Sequence, residues 1–168
     1  MGNDLVQQQL TFTIRNLEVA AEEIRNYLNS TTIESFMNEV ENGSEGDYKD
    51  ILDQFRRILV FFDEGRESGY LILRSEKFRK GAAEKTLYWI FHQCIEEFFQ
   101  PKLDVWYEDS RAAYTGKNAI RFRSAIPNQL EELVKRIEGP LQEVREELEY
   151  YETDYRTKMR QQDIDQKK

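Results

Sequence analysis

The chain has 168 residues and a formal net charge of −8 at pH 7, with 39% hydrophobic and 33% charged residues. That length suits one domain with a real hydrophobic core, and the acidic total argues against nonspecific binding to nucleic acid or to an anionic membrane. A single cysteine, Cys94, excludes an intramolecular disulfide, and no apolar run approaches the roughly 20 residues of a membrane span, so a soluble, cytoplasmic protein is the expectation.

Charge is distributed unevenly along the chain. Residues 1–64 carry 5 Lys/Arg against 13 Asp/Glu, residues 65–124 carry 11 against 8, and residues 125–168 carry 8 against 11. Only the middle third is net basic. "MGNDLV" starts like a myristoylation signal, but Val6 stands where Ser or Thr is required.

From Asp4 to Asn29, apolar residues at Leu10, Ile14, Leu17, Ala21, Ile24 and Leu28 step by 4, 3, 4, 3, 4, one stripe of an amphipathic helix. Phe12 and Val19 lie off it. Thr31 and Glu34 have the spacing of a capping box and open a short helix through Phe36 and Val40. After the acidic loop "ENGSEGD", Asp47 is placed to cap a helix with Tyr48, Ile51, Leu52, Phe55, Leu59 and Phe62 on one face and Gly65 just past its end. "RILVFF" (57–62) also fits a strand paired with "GYLILR" (69–74); the two caps favour helix for the first, and "GYLILR" reads as a strand.

Ser75 is a candidate N-cap for a central helix over 76–100, ended by Pro101 and apolar around most of its circumference between Leu87 and Phe99. The basic run Lys77, Arg79, Lys80 and Lys85 at its start opposes the helix dipole. Val105–Tyr107 and Ile120–Arg123 read as short strands around a Thr115–Asn118 turn, and Asp109–Tyr114 fits either a strand or a single helical turn. From Pro127 the steps 4, 3, 4, 3, 4, 3, 4 join Leu130 to Tyr155 through Gly139-Pro140, which predicts a kink at Pro140 with the same face buried on both sides. The sequence after Tyr155 reads as a frayed tail, giving one domain over 1–160 and a tail over 161–168.

Few residues have the spacing that chemistry needs. His92 and Cys94 stand two apart and would face away from each other on a helix, so Cys94 is expected in the core and His92 at an edge, with no metal site. Glu96-Glu97 and Glu108-Asp109 are paired carboxylates, but adjacent residues on one element do not converge across a cleft. Glu108 and Asp109 are expected to pair across the hairpin with Arg121 or Arg123. "TGKN" lacks the rest of a phosphate loop. A candidate binding surface remains: Tyr107, Glu108, Asp109, Arg111, Tyr114, Lys117, Arg121 and Arg123. Its cations and aromatics could also hold a small anion or stack a base. No catalytic residue and no cofactor is expected. Three tyrosines in "YYETDYRTKM" suit an interface, which makes a homodimer through the C-terminal helix one candidate partnership beside an unknown protein partner.

The blocks "AAEKTLYWIFHQCIEEFFQPKLDVWYEDSRAAYTGKNAIRFR" and "REELEYYETDYRTKM" resemble a family of small uncharacterised proteins of Bacillus and its relatives, the YpuI-like proteins, over roughly residues 50–160. The resemblance implies a bacterial cytoplasmic protein and carries no catalytic or binding residue. The combined expectation is a mainly α, α+β domain. Long amphipathic helices surround a central apolar helix, with a small antiparallel sheet from 69–74, 105–108 and 119–123. Its expected role is a non-enzymatic interaction or regulatory module. The alternatives are an anion or nucleic-acid binder on the basic hairpin and an enzyme using Glu108 or Asp109.

Overall fold

The computed structural model describes residues 2–40, 43–113 and 118–167. In chain order the elements are α1 (Asn3–Ser30), α2 (Ile33–Glu39), α3 (Glu45–Leu73), α4 (Lys80–Ile90), a π turn (Phe91–Ile95), α5 (Glu96–Phe99), β1 (Trp106–Glu108), α6 (Ser110–Ala113), β2 (Ile120–Phe122), α7 (Asn128–Glu147), a 3-10 turn (Glu149–Tyr151) and α8 (Asp154–Gln166). The protein is mainly α-helical, with one two-stranded antiparallel sheet.

The apolar stripe of α1 is buried as its period requires, from Val6 and Leu10 through Ile24. This helix lies along α3, α7 and α4, so it shares the centre of the fold with the α4–α5 segment. That segment buries Leu87, Ile90, Phe91, Cys94, Ile95, Phe98 and Phe99. The extra residue per turn of the π segment keeps Phe91, Cys94 and Ile95 inward together. The Cys94 thiol donates to the Phe61 carbonyl at 3.3 Å, and burial pushes its pKa well up.

Four expectations are corrected. First, "GYLILR" is the end of α3, not a strand, and the sheet has two strands rather than three. The buried stripe of α3 passes Phe62, Gly65, Gly69 and Ile72, and two of these positions carry no side chain to reveal a helical period. Gly65 does not end the helix. A Cβ on Gly69 would stand 2.2 Å from Ile14 Cδ1, and one on Gly65 3.0 Å from Ile90 Cγ1, so both glycines admit a neighbouring helix. Second, the capping box before α2 uses Thr32 and Ser35, each side chain accepting the other's backbone N–H at 3.0 Å, in place of Thr31 and Glu34. Third, α3 begins at Glu45 behind Ser44, so Asp47 sits in the first turn. Fourth, the central helix begins at Lys80. Ser75 instead closes α3, its hydroxyl donating to the Leu71 carbonyl at 2.9 Å. Lys80 has a carboxylate of its own, Glu84, 4.0 Å away.

Helix α7 continues through Pro140, with Val134, Ile137, Leu141 and Val144 buried on one face either side of it. The segment after Tyr155 is helical: α8 packs Tyr155 and Met159 on the core, and the rest of it is exposed. The C-terminal tyrosines are engaged within the chain. Tyr151 and Tyr155 are buried, with ring centroids 5.4 Å apart, and Tyr88 stands 5.3 Å from Tyr155.

Burial raises the pKa of Tyr151 and Tyr155 and pushes Tyr27 up to about 12 from the ordinary 10.0. An unfolded chain therefore loses these phenolic protons first. The buried Cys94 thiol, ordinarily near 9.0, adds to this, so stability should hold from neutral pH to about pH 9 and fall as pH climbs from there toward 12. Urea midpoints measured across that range would show the decline; a flat profile would contradict it.

Candidate functional site

The β1–α6–β2 hairpin is fastened from below. Trp106 is fully buried against Phe55, Phe98 and Phe122, at centroid distances of 5.0, 6.1 and 5.3 Å, and its indole N–H donates to the Phe98 carbonyl at 2.6 Å. The strand pairs are Trp106 with Phe122, Tyr107 with Arg121 and Glu108 with Ile120. The ladder extends one step each way: the Asp109 N–H donates to the Ala119 carbonyl at 2.7 Å and the Arg123 N–H to the Val105 carbonyl at 3.1 Å. Left-handed Asp104 (φ 53°) and Asn118 (φ 54°) shape the turns at the two strand entries, residue types that tolerate this conformation.

Of the expected surface, Tyr107, Glu108, Asp109, Arg111, Arg121 and Arg123 are brought together on this hairpin, whereas Tyr114 and Lys117 lie outside the described residues. Tyr107 is 43% exposed, and the Arg123 guanidinium lies over its ring at 4.7 Å. Arg123 also donates to the Asp104 carbonyl and carboxylate at 3.1 and 3.0 Å. Arg121 donates to the carbonyls of Asn118 and Ile120 and stands 4.0 Å from Asp109, the cross-hairpin pairing expected of that carboxylate. Asp109 accepts the Arg111 N–H at 3.0 Å, which starts α6 as a single helical turn.

Glu108 departs from expectation. Its carboxylate is clamped by Arg145 of α7 at 2.9 and 2.6 Å, and that guanidinium lies 3.7 Å from the Phe99 ring centroid while also donating to Gln142. The strand's alternation turns Glu108 toward the helices, so a hairpin arginine on the outer face cannot reach it. Glu138, also on α7, was not anticipated at all. It is 6% exposed, and its Oε1 accepts the N–H groups of Ala119 and Ile120 at 2.7 and 3.2 Å. Glu97 is the third tethering carboxylate: it accepts from Gln54, Arg57 and the Lys102 N–H at 2.9, 2.8 and 3.3 Å. Glu96 instead faces His92, whose Nδ1 is 3.1 Å away, while the other ring nitrogen is 3.3 Å from the Tyr151 carbonyl.

The model of a protein family described as "Protein of unknown function (DUF3907)" matches residues 10–157, a span that includes the whole hairpin and every carboxylate that holds it. The chain belongs to this family. Among relatives of this DUF3907 protein, the "Uncharacterized protein YpuI" of Bacillus subtilis (strain 168) is 43% identical over 152 residues, covering 90% of this chain and 84% of that one. No solved structure matches the chain.

In the DUF3907 chain one cavity adjoins β2 of the hairpin, and a second lies between the π turn–α5 segment and the end of α7. The first, of about 540 Å³, lies between β2, the 123–127 connection and α7, walled by Ile120, Phe122, Ile126 and Val134 and bordered by Arg121, Lys135, Glu131 and Glu138. The other, of about 340 Å³, has an aromatic floor of Phe91 and Phe99 beneath Arg145, Glu146, Glu149 and Glu152. Among the described residues, no group of three or more His, Cys, Asp or Glu is placed to hold a metal ion, and no helix is long and apolar enough to cross a membrane.

Proposed function

We propose that this chain is a non-enzymatic, cytoplasmic protein-interaction module that meets its partner with the outer face of the β1–α6–β2 hairpin. One observation carries the reading: the exposed Tyr107 ring is held under Arg123, which Asp104 fixes from behind, beside Leu103 at 44% exposure. Tyrosine and arginine are the side chains that most often dominate binding at interfaces, and a pair already ordered loses less freedom when a partner covers it. The hairpin carboxylates favour this reading over acid–base catalysis, because Arg145 holds both oxygens of Glu108 and Asp109 bonds its own turn. The described guanidiniums Arg121 and Arg123 already meet carboxylates and carbonyls, which lowers their pull on a free anion.

The test is capture from the cytoplasm of the native cells with the full chain, comparing wild type with a Tyr107→Ala/Arg123→Ala double variant. The expected result is that proteins retained by the wild type are lost from the variant by at least tenfold, about 1.4 kcal/mol of binding, with an unchanged melting curve. Retention that is the same for both chains would sink the proposal. Light scattering over a concentration series identifies a second copy of the chain as the partner if mass doubles and the variant stays monomeric.

A further inference from the structure

We infer that the cavity between β2 and α7 is a binding site for a compact organic cation, an ammonium group on an apolar body, with Glu138 as its counter-charge. The inference does not rest on Tyr107 or Arg123, although Arg121 borders both the hairpin's outer face and this cavity.

Three features converge on it. The first is charge. Glu138 is more than nine-tenths buried, yet among the described residues no cation lies within ion-pair distance of it. Its other neighbours at the cavity edge are already met: Lys135 stands 3.7 Å from Glu131 and 3.9 Å from Glu132, and Arg121 faces Asp109 and two carbonyls. Among the described residues its hydrogen-bond partners are two N–H groups, so the carboxylate stands at the cavity lining without a paired cation, and a cation brought there forms charge-assisted hydrogen bonds with it. The second is stereochemistry. Both N–H groups converge on Oε1, which pins the carboxylate in place along the cavity lining. A fixed acceptor binds with less loss of freedom than a mobile surface glutamate. The third is shape. About 540 Å³ is within the range of small-molecule sites, and the walls Ile120, Phe122, Ile126 and Val134 are apolar. The rest of the lining is largely polar, with Arg121 and Lys135 set against their own carboxylates Asp109 and Glu131, so a ligand that meets both the apolar walls and Glu138 fits better than a hydrated metal ion.

The neighbouring strand edge adds an acceptor. Tyr107 and Arg121 are the hydrogen-bonded pair, because the ladder bonds alternate at Val105–Arg123 and Asp109–Ala119. Phe122 therefore turns its N–H and carbonyl away from β1, on the side where Glu138 takes the Ile120 N–H. That carbonyl is a further acceptor on the same strand edge, two residues along from the Ile120 N–H that Glu138 holds.

The experiment titrates the isotope-labelled full chain at neutral pH with three probes of one shape: 2-phenylethylammonium, 2-phenylethanol and 3-phenylpropanoate. Amide shifts of Ala119, Ile120, Phe122 and Val134 are followed. The expected result is saturable movement of these amides, with the ammonium at least tenfold tighter than the alcohol and the carboxylate weakest. In Glu138→Gln, whose amide oxygen can still accept both N–H groups, that tenfold preference disappears while the spectrum stays folded. Equal affinity for amine and alcohol in the wild type overturns the inference without any variant. So do tightest binding of the anion, an absence of saturable shifts, and a preference that survives Glu138→Gln.

Discussion

Replacing Trp106 with alanine is expected to be the most damaging single change in the hairpin, lowering stability by about 3–5 kcal/mol. Three effects combine. The indole is fully buried and touches Phe55, Phe98 and Phe122, so its loss opens a cavity among aromatic rings that helices and strands hold apart. The Phe98 carbonyl, at the end of α5, loses the donor that sits 2.6 Å away. The strand pair of three residues has no other fully buried side chain tying β1 to the helices. For a chain of this size the expected fall in melting temperature is roughly 6–20 °C. Trp106→Phe keeps most of the packing and loses the hydrogen bond, so it should lie between alanine and wild type. Thermal unfolding followed by circular dichroism measures both. A fall of under about 3 °C for alanine would show that the hairpin is not anchored through Trp106.

The pattern of what could be read in the sequence follows from how each signal is encoded. Helices α1 and α7 place an apolar residue at nearly every buried position, so their period is visible, and α7 remains one helix through Pro140. The end of α3 is not visible, because its contact with α1 and α4 is made by Gly65 and Gly69. Close approach of backbones needs the absence of a side chain, and an absence adds nothing to a hydrophobic period. Ser75 shows the same ambiguity at a helix boundary: a serine hydroxyl can open the next helix or close the last, and here it donates back to Leu71. Within the site, the strand positions and the Asp109–Arg121 pairing were readable from alternation. The Glu108–Arg145 clamp was not, because it joins residues 37 apart and depends on how α7 crosses the hairpin. Glu138 left a trace that was available. It stands four residues after Val134 and three before Leu141, the same steps that define the buried stripe, so a carboxylate there had to find partners inside.

That position gives the second large effect. Glu138→Ala is expected to cost roughly 2–6 kcal/mol, because two buried N–H groups, those of Ala119 and Ile120, lose their common acceptor together and each costs about 1–3 kcal/mol unpaired. Glu138→Gln should cost much less, since its amide oxygen can replace Oε1 in both bonds. The comparison separates two roles of one side chain. If the carboxylate matters only as an acceptor that closes the edge of β2, glutamine should restore amide-exchange protection at Ala119 and Ile120 and alanine should not. If alanine and glutamine destabilise alike, the negative charge itself is needed by the fold, and a cation of the chain must supply its partner. If alanine leaves both amides protected, Glu138 does not hold the strand to α7 at all. The middle case would remove the reason for a ligand cation at this cavity, whereas the first leaves an unpaired carboxylate that the fold tolerates and does not require as a charge. A charge kept buried at a wall of a cavity without serving the fold is what a binding site requires, so the stability of these two variants and the amine titration bear on the same atom from opposite sides.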